Sequence, residues 1–125
     1  MLQVDAFWEF SVELYGKDHM QQQCLQLQDQ HDLNVNILLL CCFLQRQNLS
    51  FSREDARSLI VAAASTQIQL KQMREHRKKH KGTAEYQQLL TQELDIEKQQ
   101  QAELIETVNS LRLIQGAGNN VKTYV

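Results

Sequence analysis

Ile37–Leu44 (ILLLCCFL) contains no polar residue. Wound into a helix, this run has no face suited to water, so the helix must be enclosed by the rest of the chain. Asn34 stands where it can accept from the first free backbone N–H groups, and Gln45-Arg46-Gln47-Asn48 returns the chain to solvent. A buried strand is the competing reading of a short apolar run. The leucines and the paired cysteines lack the β-branched bias of such strands, and both flanks have helical periodicity. The sequence therefore predicts a buried central helix over about residues 34–47.

The rest of the chain has to supply the walls. With 125 residues, no proline and only four glycines, it is long enough for one core and poor in helix breakers. Asp5 can cap a first helix ending at Tyr15 before Gly16, with Val4, Phe7, Trp8, Ser11, Leu14 and Tyr15 on one stripe and Phe10 beside it. Asp18 can cap a second helix to about His31, with Met20, Cys24, Leu27 and His31 inward and Leu25 next to them. Leu49-Ser50-Phe51 reads as a loop. Ser52 and Asp55 then form a capping-box pattern that opens a helix to about Lys79, its inner face marked by Ala56, Leu59, Ile60, Ala63 and Leu70. Ala62-Ala63-Ala64 would let this helix approach the central one closely.

Lys81-Gly82-Thr83 is the expected tip of a helical hairpin, with Thr83 as the next N-cap. The last helix is expected from Ala84 to about Leu113, and the polar stretch Glu97–Glu103 is expected to kink or project from the body. The predicted architecture is all-α, about five helices, with the central helix wrapped by two short helices and a long C-terminal hairpin. One domain is expected over residues 1–115, followed by a disordered tail over residues 116–125.

Composition bounds the function. The net charge is −2, and the cations concentrate in residues 51–81 between two acidic flanks. The run Lys71–Lys81 has no interleaved aromatics and no helix-turn-helix pattern, which argues against nucleic acid as a partner. No segment approaches the ~20 apolar residues of a membrane span. MLQVDAFWEF has no basic stretch leading into an apolar core, so no signal peptide is expected. Cys24, Cys41 and Cys42 are odd in number and lie in apolar stretches, as buried thiols of a reducing, cytoplasmic setting do. His76 and His80 have the i, i+4 spacing of a zinc pair, but neighbouring cations oppose a dication there. Cys24 and His31 are too far apart along a helix for a nucleophile–base pair.

Two constellations remain. Arg74 and Arg77 sit one turn apart, as do Glu93 and Glu97 on the next helix. Equal distances from Gly82 place Arg74 near Leu90 and Lys71 near Glu93, within reach of a forked Arg74–Glu93 pair. The amides Gln28 and Asn36 stand beside apolar surface, either bonded to each other and to helix ends or lining a ligand cavity with Trp8, Tyr15 and Asp29.

Phe7-Trp8-x-Phe10-Ser11-x-x-Leu14-Tyr15, Cys24-Leu25-x-Leu27-Gln28-Asp29 and Val35-Asn36-x-Leu38-Leu39 together resemble a family of short, uncharacterised proteobacterial proteins, classed as a domain of unknown function. The resemblance covers about residues 7–44 and extends loosely through Arg74, Arg77, Lys81, Glu93-Leu94 and Glu97. It implies an all-helical, cytoplasmic, bacterial protein and supplies no reaction, cofactor or partner. No phosphate loop, triad or metal motif is present, so neither an enzyme nor a cofactor is expected. The first functional reading is a protein-interaction or adaptor module that binds another protein or itself through the charged hairpin. The second is a binding protein for a small anionic or amphipathic ligand held between the central helix and Arg74/Arg77.

Overall fold

The computed structural model describes residues 1–17, 19–116 and 118–125. The apolar run forms α3 (Val35–Arg46), capped by Asn34, whose Oδ1 accepts from the Ile37 N–H at 3.1 Å. Seven of its residues between Ile37 and Leu44 are buried, and Cys42 is half-buried. α1 (Val4–Tyr15) lays Phe7 and Phe10 against Phe43, each with ring centroids 5.3 Å apart. Phe10 shares Phe43 with Phe7, and the Arg46 guanidinium lies 5.1 Å from its ring centroid. α2 (Met20–His31) contributes Cys24 to the interior. His31, expected inside, is exposed. The expected Asp18 cap lies outside the described residues.

The capping box at Ser52 and Asp55 is present in both directions and opens α4 (Arg53–Ala62). One helix to Lys79 was expected. Instead Ala63, at φ −94° and ψ 0°, separates α4 from α5 (Ala64–Lys79). Its carbonyl accepts from the nearby Thr66 hydroxyl at 3.2 Å and is approached by Gln100 of the last long helix at 3.4 Å, so one of the side chains at the break comes from far along the chain. Both helices pack on that long helix; of the three alanines only Ala63 is buried, and Ala64 is exposed. Ile60, expected inward, is exposed.

Gly82, at φ +87°, makes the turn, a backbone conformation that a residue with a Cβ resists. Thr83 does not cap: its hydroxyl donates back to the His80 carbonyl, and α6 (Tyr86–Ser110) begins three residues later. The middle of α6 neither kinks away nor projects. Gln100 and Gln101 are 0% and 1% exposed.

The segment expected to be a loose tail is built into the core, and five helices become seven among the described residues. Leu49–Ser50 (β1) pairs antiparallel with Ile114–Gln115 (β2), in register Leu49↔Gln115 and Ser50↔Ile114. A Cβ on Gly118 would stand 2.7 Å from the Ser50 Cβ, so the chain passes here only as glycine. α7 (Asn120–Tyr124) follows. The fully buried Asn120 amide accepts from the Phe51 N–H at 3.1 Å and donates to the carbonyls of Leu49 and Cys41, at 3.0 and 3.3 Å. The Tyr124 hydroxyl accepts from the Asn34 N–H at 2.9 Å. Composition hid this because a short polar segment after glycines looks disordered, while its hydrogen-bond partners lie some seventy residues away.

Asn120→Ala is expected to lower unfolding stability by about 2 kcal/mol or more in urea titration, because it strands buried backbone groups. A dangling tail would give no change.

Candidate functional site

α1, α2, α3 and the α5–α6 hairpin enclose a cleft of about 490 Å³. Its floor is Asn36, Leu39 and Gln101, all buried, and Val12, Leu25 and Leu94 at its rim are exposed. Trp8, Tyr15, Gln28, Asn36, Arg74, Arg77, Glu93 and Glu97 all line it. Of the residues singled out from sequence, only Asp29 lies elsewhere. It is exposed on the outer side of α2, in a shallow depression walled by Gln22, Gln26 and Gln30.

The floor is held by an amide network that runs across four helices. Asn36 of α3 donates from Nδ2 to Gln100 Oε1 at 2.9 Å and accepts at Oδ1 from Gln101 Nε2 at 3.1 Å. Gln100 Nε2 reaches Thr66 Oγ1 of α5 at 3.0 Å, and Thr66 Oγ1 lies 2.8 Å from Glu103 Oε1. Ser11 of α1 donates to the Phe7 carbonyl at 2.8 Å, so its Oγ is an acceptor for Gln101 Nε2 at 3.0 Å. These bonds fix which way each amide points. Asn36 was expected to pair with Gln28 or with ends of the first three helices. It pairs with α6 instead.

The network also leaves a remainder. With Gln101 Nε2 turned to Ser11 and Asn36, Gln101 Oε1 is buried without a partner among the described residues. The same is true of Arg74 Nη1. An unmatched acceptor and an unmatched donor thus belong to two residues lining one cleft, where a buried orphan costs on the order of 1–3 kcal/mol.

The two arginines are held differently. Arg77 forks onto Glu93, Nε to Oε2 at 3.0 Å and Nη2 to Oε1 at 3.5 Å, and its Nη1 donates to the Tyr86 hydroxyl at 3.3 Å. Burial lowers the Arg77 proton affinity, but the Tyr86 and Glu93 bonds outweigh it and the net shift is upward. Arg74 approaches Glu93 at 3.6 Å and Glu97 at 3.9 Å, longer than hydrogen bonds. The expected forked pair exists, therefore, with Arg77 in place of Arg74. Lys71, expected near Glu93, meets Asp32 of the α2–α3 link instead.

Glu97 stands on the far side of Arg74 from Glu93, one turn along α6. Burial first, and the Glu93 charge second, push its carboxyl up to about 7 against the opposing pull of Arg74 and Arg77. Its side chain is still 32% exposed, so water softens the effect. Burial also raises the Tyr15 phenol to about 12, keeping it protonated. The Cys41 thiol goes up to about 12 for the same reason, and those of Cys24 and Cys42 rise as well, as suits packing and not nucleophilic work. Among the described residues no group of three or more His, Cys, Asp or Glu is placed to hold a metal. No described helix is long and apolar enough to cross a membrane.

A family described as "Protein of unknown function (DUF2390)" matches residues 6–104. The chain belongs to that family. Every residue named in the cleft lies inside the matched span, while β2 and α7 lie beyond it. No curated protein and no solved structure matches the chain.

Gln101 is the site residue that sequence reasoning missed. Its helical phase was the available signal: Leu90, Glu93, Glu97, Gln101, Leu104 and Val108 recur at three- and four-residue steps, so one stripe runs unbroken through the polar middle of α6.

Two variants test these electrostatics. Glu93→Gln leaves two half-buried guanidinium groups without their shared carboxylate and is expected to lose about 2 kcal/mol in urea unfolding. For Glu97, the folded chain binds more protons than the unfolded chain between about pH 4.5 and pH 7. Its contribution therefore makes stability fall as pH rises through that window. Glu97→Gln is expected to remove this slope and raise stability above neutral pH, read from urea midpoints on either side of the window.

Proposed function

We propose that the chain is a non-enzymatic binding protein for a small anionic or amphipathic ligand, held in the cleft between α3 and the arginine-bearing hairpin. The supporting observation is a cleft of about 490 Å³ in which Arg74, held no closer than 3.6 Å to a carboxylate, stands beside an apolar wall. Binding sites are commonly concavities of this size, mostly apolar with a few polar groups that orient the ligand. Here Trp8, Leu39, Leu90 and Val35 supply the apolar wall, and the amide network keeps the floor rigid.

The adaptor reading was motivated by a projecting α6, and the buried Gln100 and Gln101 remove that motive. What remains in its favour is apolar surface on α4 and α5, where Ile60, Val61 and Ile68 are exposed. Docking through that face predicts self-association or a partner complex sensitive to Val61→Glu and indifferent to changes in the cleft.

The cleft reading is tested with 8-anilinonaphthalene-1-sulfonate, an amphipathic monoanion. Its emission is expected to rise with the native chain, and Leu90→Trp, which fills the cleft, is expected to cut that rise about tenfold while unfolding stays cooperative. An undiminished rise in Leu90→Trp would count against the site.

A further inference from the structure

We infer that the outer face of α4 and α5 is a docking surface for a second copy of this chain, the two copies lying antiparallel about a two-fold axis that sets Arg57 of each against Glu75 of the other. The inference stands apart from the cleft reading, because none of the residues that build this face lines the cleft.

Helical phase builds the face. Ala56, Leu59, Ala63, Thr66 and Leu70 are buried at steps of three and four, so the inward stripe keeps its phase across the break at Ala63. Backbone bonds run through the break as well, from the Ala63 N–H to the Leu59 carbonyl at 3.1 Å and from the Gln67 N–H to the Ala63 carbonyl at 2.9 Å. Val61 and Ile68 each stand two residues from a member of that stripe, about 200° around the helix. They are 75% and 58% exposed. Arg57, Val61, Ala64, Ile68, Lys71 and Glu75 follow one another at alternating steps of four and three, the spacing of a coiled-coil seam, and all six are exposed.

The residues on that seam select the partner. In an antiparallel pair of identical helices, facing residues have numbers of constant sum. The register that sets small Ala64 against large Ile68 also sets Val61 against Lys71, Arg57 against Glu75 and Glu54 against Lys78. Both charged layers are of opposite sign, and the two-fold axis repeats each of them. A parallel pair would set Arg57 on Arg57 and Glu75 on Glu75. Sliding one copy to bring Val61 onto Ile68 would set Glu54 on Glu75. The seam is therefore complementary to its own reverse, which is what a two-fold contact between copies requires.

The other charges nearby are engaged or stand aside. Lys71 is drawn to Asp32, so its alkyl stem is what meets Val61. Asp55 caps at Ser52, while Arg74 and Arg77 turn to Glu93. Arg53 and Lys79 fall on opposite flanks of the seam and do not meet. From Arg57 to Glu75 the seam is about 27 Å long at the helical rise. Few large aliphatic side chains line it, so the pair belongs with small, reversible interfaces.

The experiment is sedimentation equilibrium of the full chain from micromolar to submillimolar concentration, where a reversible monomer–dimer equilibrium is expected. Arg57→Glu and Glu75→Arg each put two like-charge layers into the interface and should weaken the dimer about tenfold or more. An equimolar mixture of the two variants should regain it, since every charged layer across the axis is again of opposite sign, and the double variant should regain it alone. Both side chains are exposed, so the variants keep their fold, which an unchanged urea midpoint at low concentration checks. A chain that stays monomeric at the highest concentration would overturn the inference, as would a dimer indifferent to both reversals or a mixture that associates no better than its components. None of these results touches the cleft reading, whose dye test needs no second copy.

Discussion

Asn36 sits on the most apolar helix of the chain, and its side-chain amide must be satisfied with only 7% of the residue exposed. That requirement organises the structure. An amide carries two donors and an acceptor with two lone pairs, so a single neighbour cannot serve it. Gln100 and Gln101 on α6 serve it together, and each then needs further partners, which Thr66 on α5 and Ser11 on α1 provide. Apolar packing alone would allow α6 to rotate or slide against α3 at small cost. The directional bonds do not, because a shift by one residue breaks several of them at once.

This also explains how a cleft survives beside a well-packed core. The polar floor cannot collapse onto the leucines around it without losing its bonds. Arg77 is locked into Glu93 and Tyr86 and holds the hairpin wall in place. Arg74 has a looser grip on Glu93 and Glu97, so a guanidinium edge is left over. The division of labour between two arginines one turn apart, one tied and one spare, follows from there being a single deeply buried carboxylate between them.

Much of the fold could be read directly from the residues. Ile37–Leu44 announced its own burial, Asn34 and the Ser52–Asp55 box announced helix starts, and Gly82 announced the hairpin turn. The cleft was legible in outline too, since Trp8, Tyr15, Asn36 and both arginines converge there. The errors have common causes. Counting equal distances from Gly82 paired Arg74 with Glu93, but side chains lean toward the N-terminus of their own helix. Arg77 and Glu93 lean toward each other along antiparallel axes, which adds about a turn of offset. Glu97–Glu103 looked wet because glutamine usually is, and only the phase of the stripe contradicts this. Asn120 could not be recognised because nothing local marks a residue whose partners are Phe51, Leu49 and Cys41.

Asn120 has a consequence for the order of assembly. It fastens α3 to the strand that follows, yet it is made 79 residues after Cys41 and 71 after Leu49. A nascent chain emerging from the ribosome can wind α1 to α6 and bring their oily faces together. It cannot fasten that joint until synthesis has passed the narrow gate at Gly118. Until then the Phe51 N–H and the Leu49 carbonyl wait for the Asn120 amide, and the joint between α3 and β1 closes last.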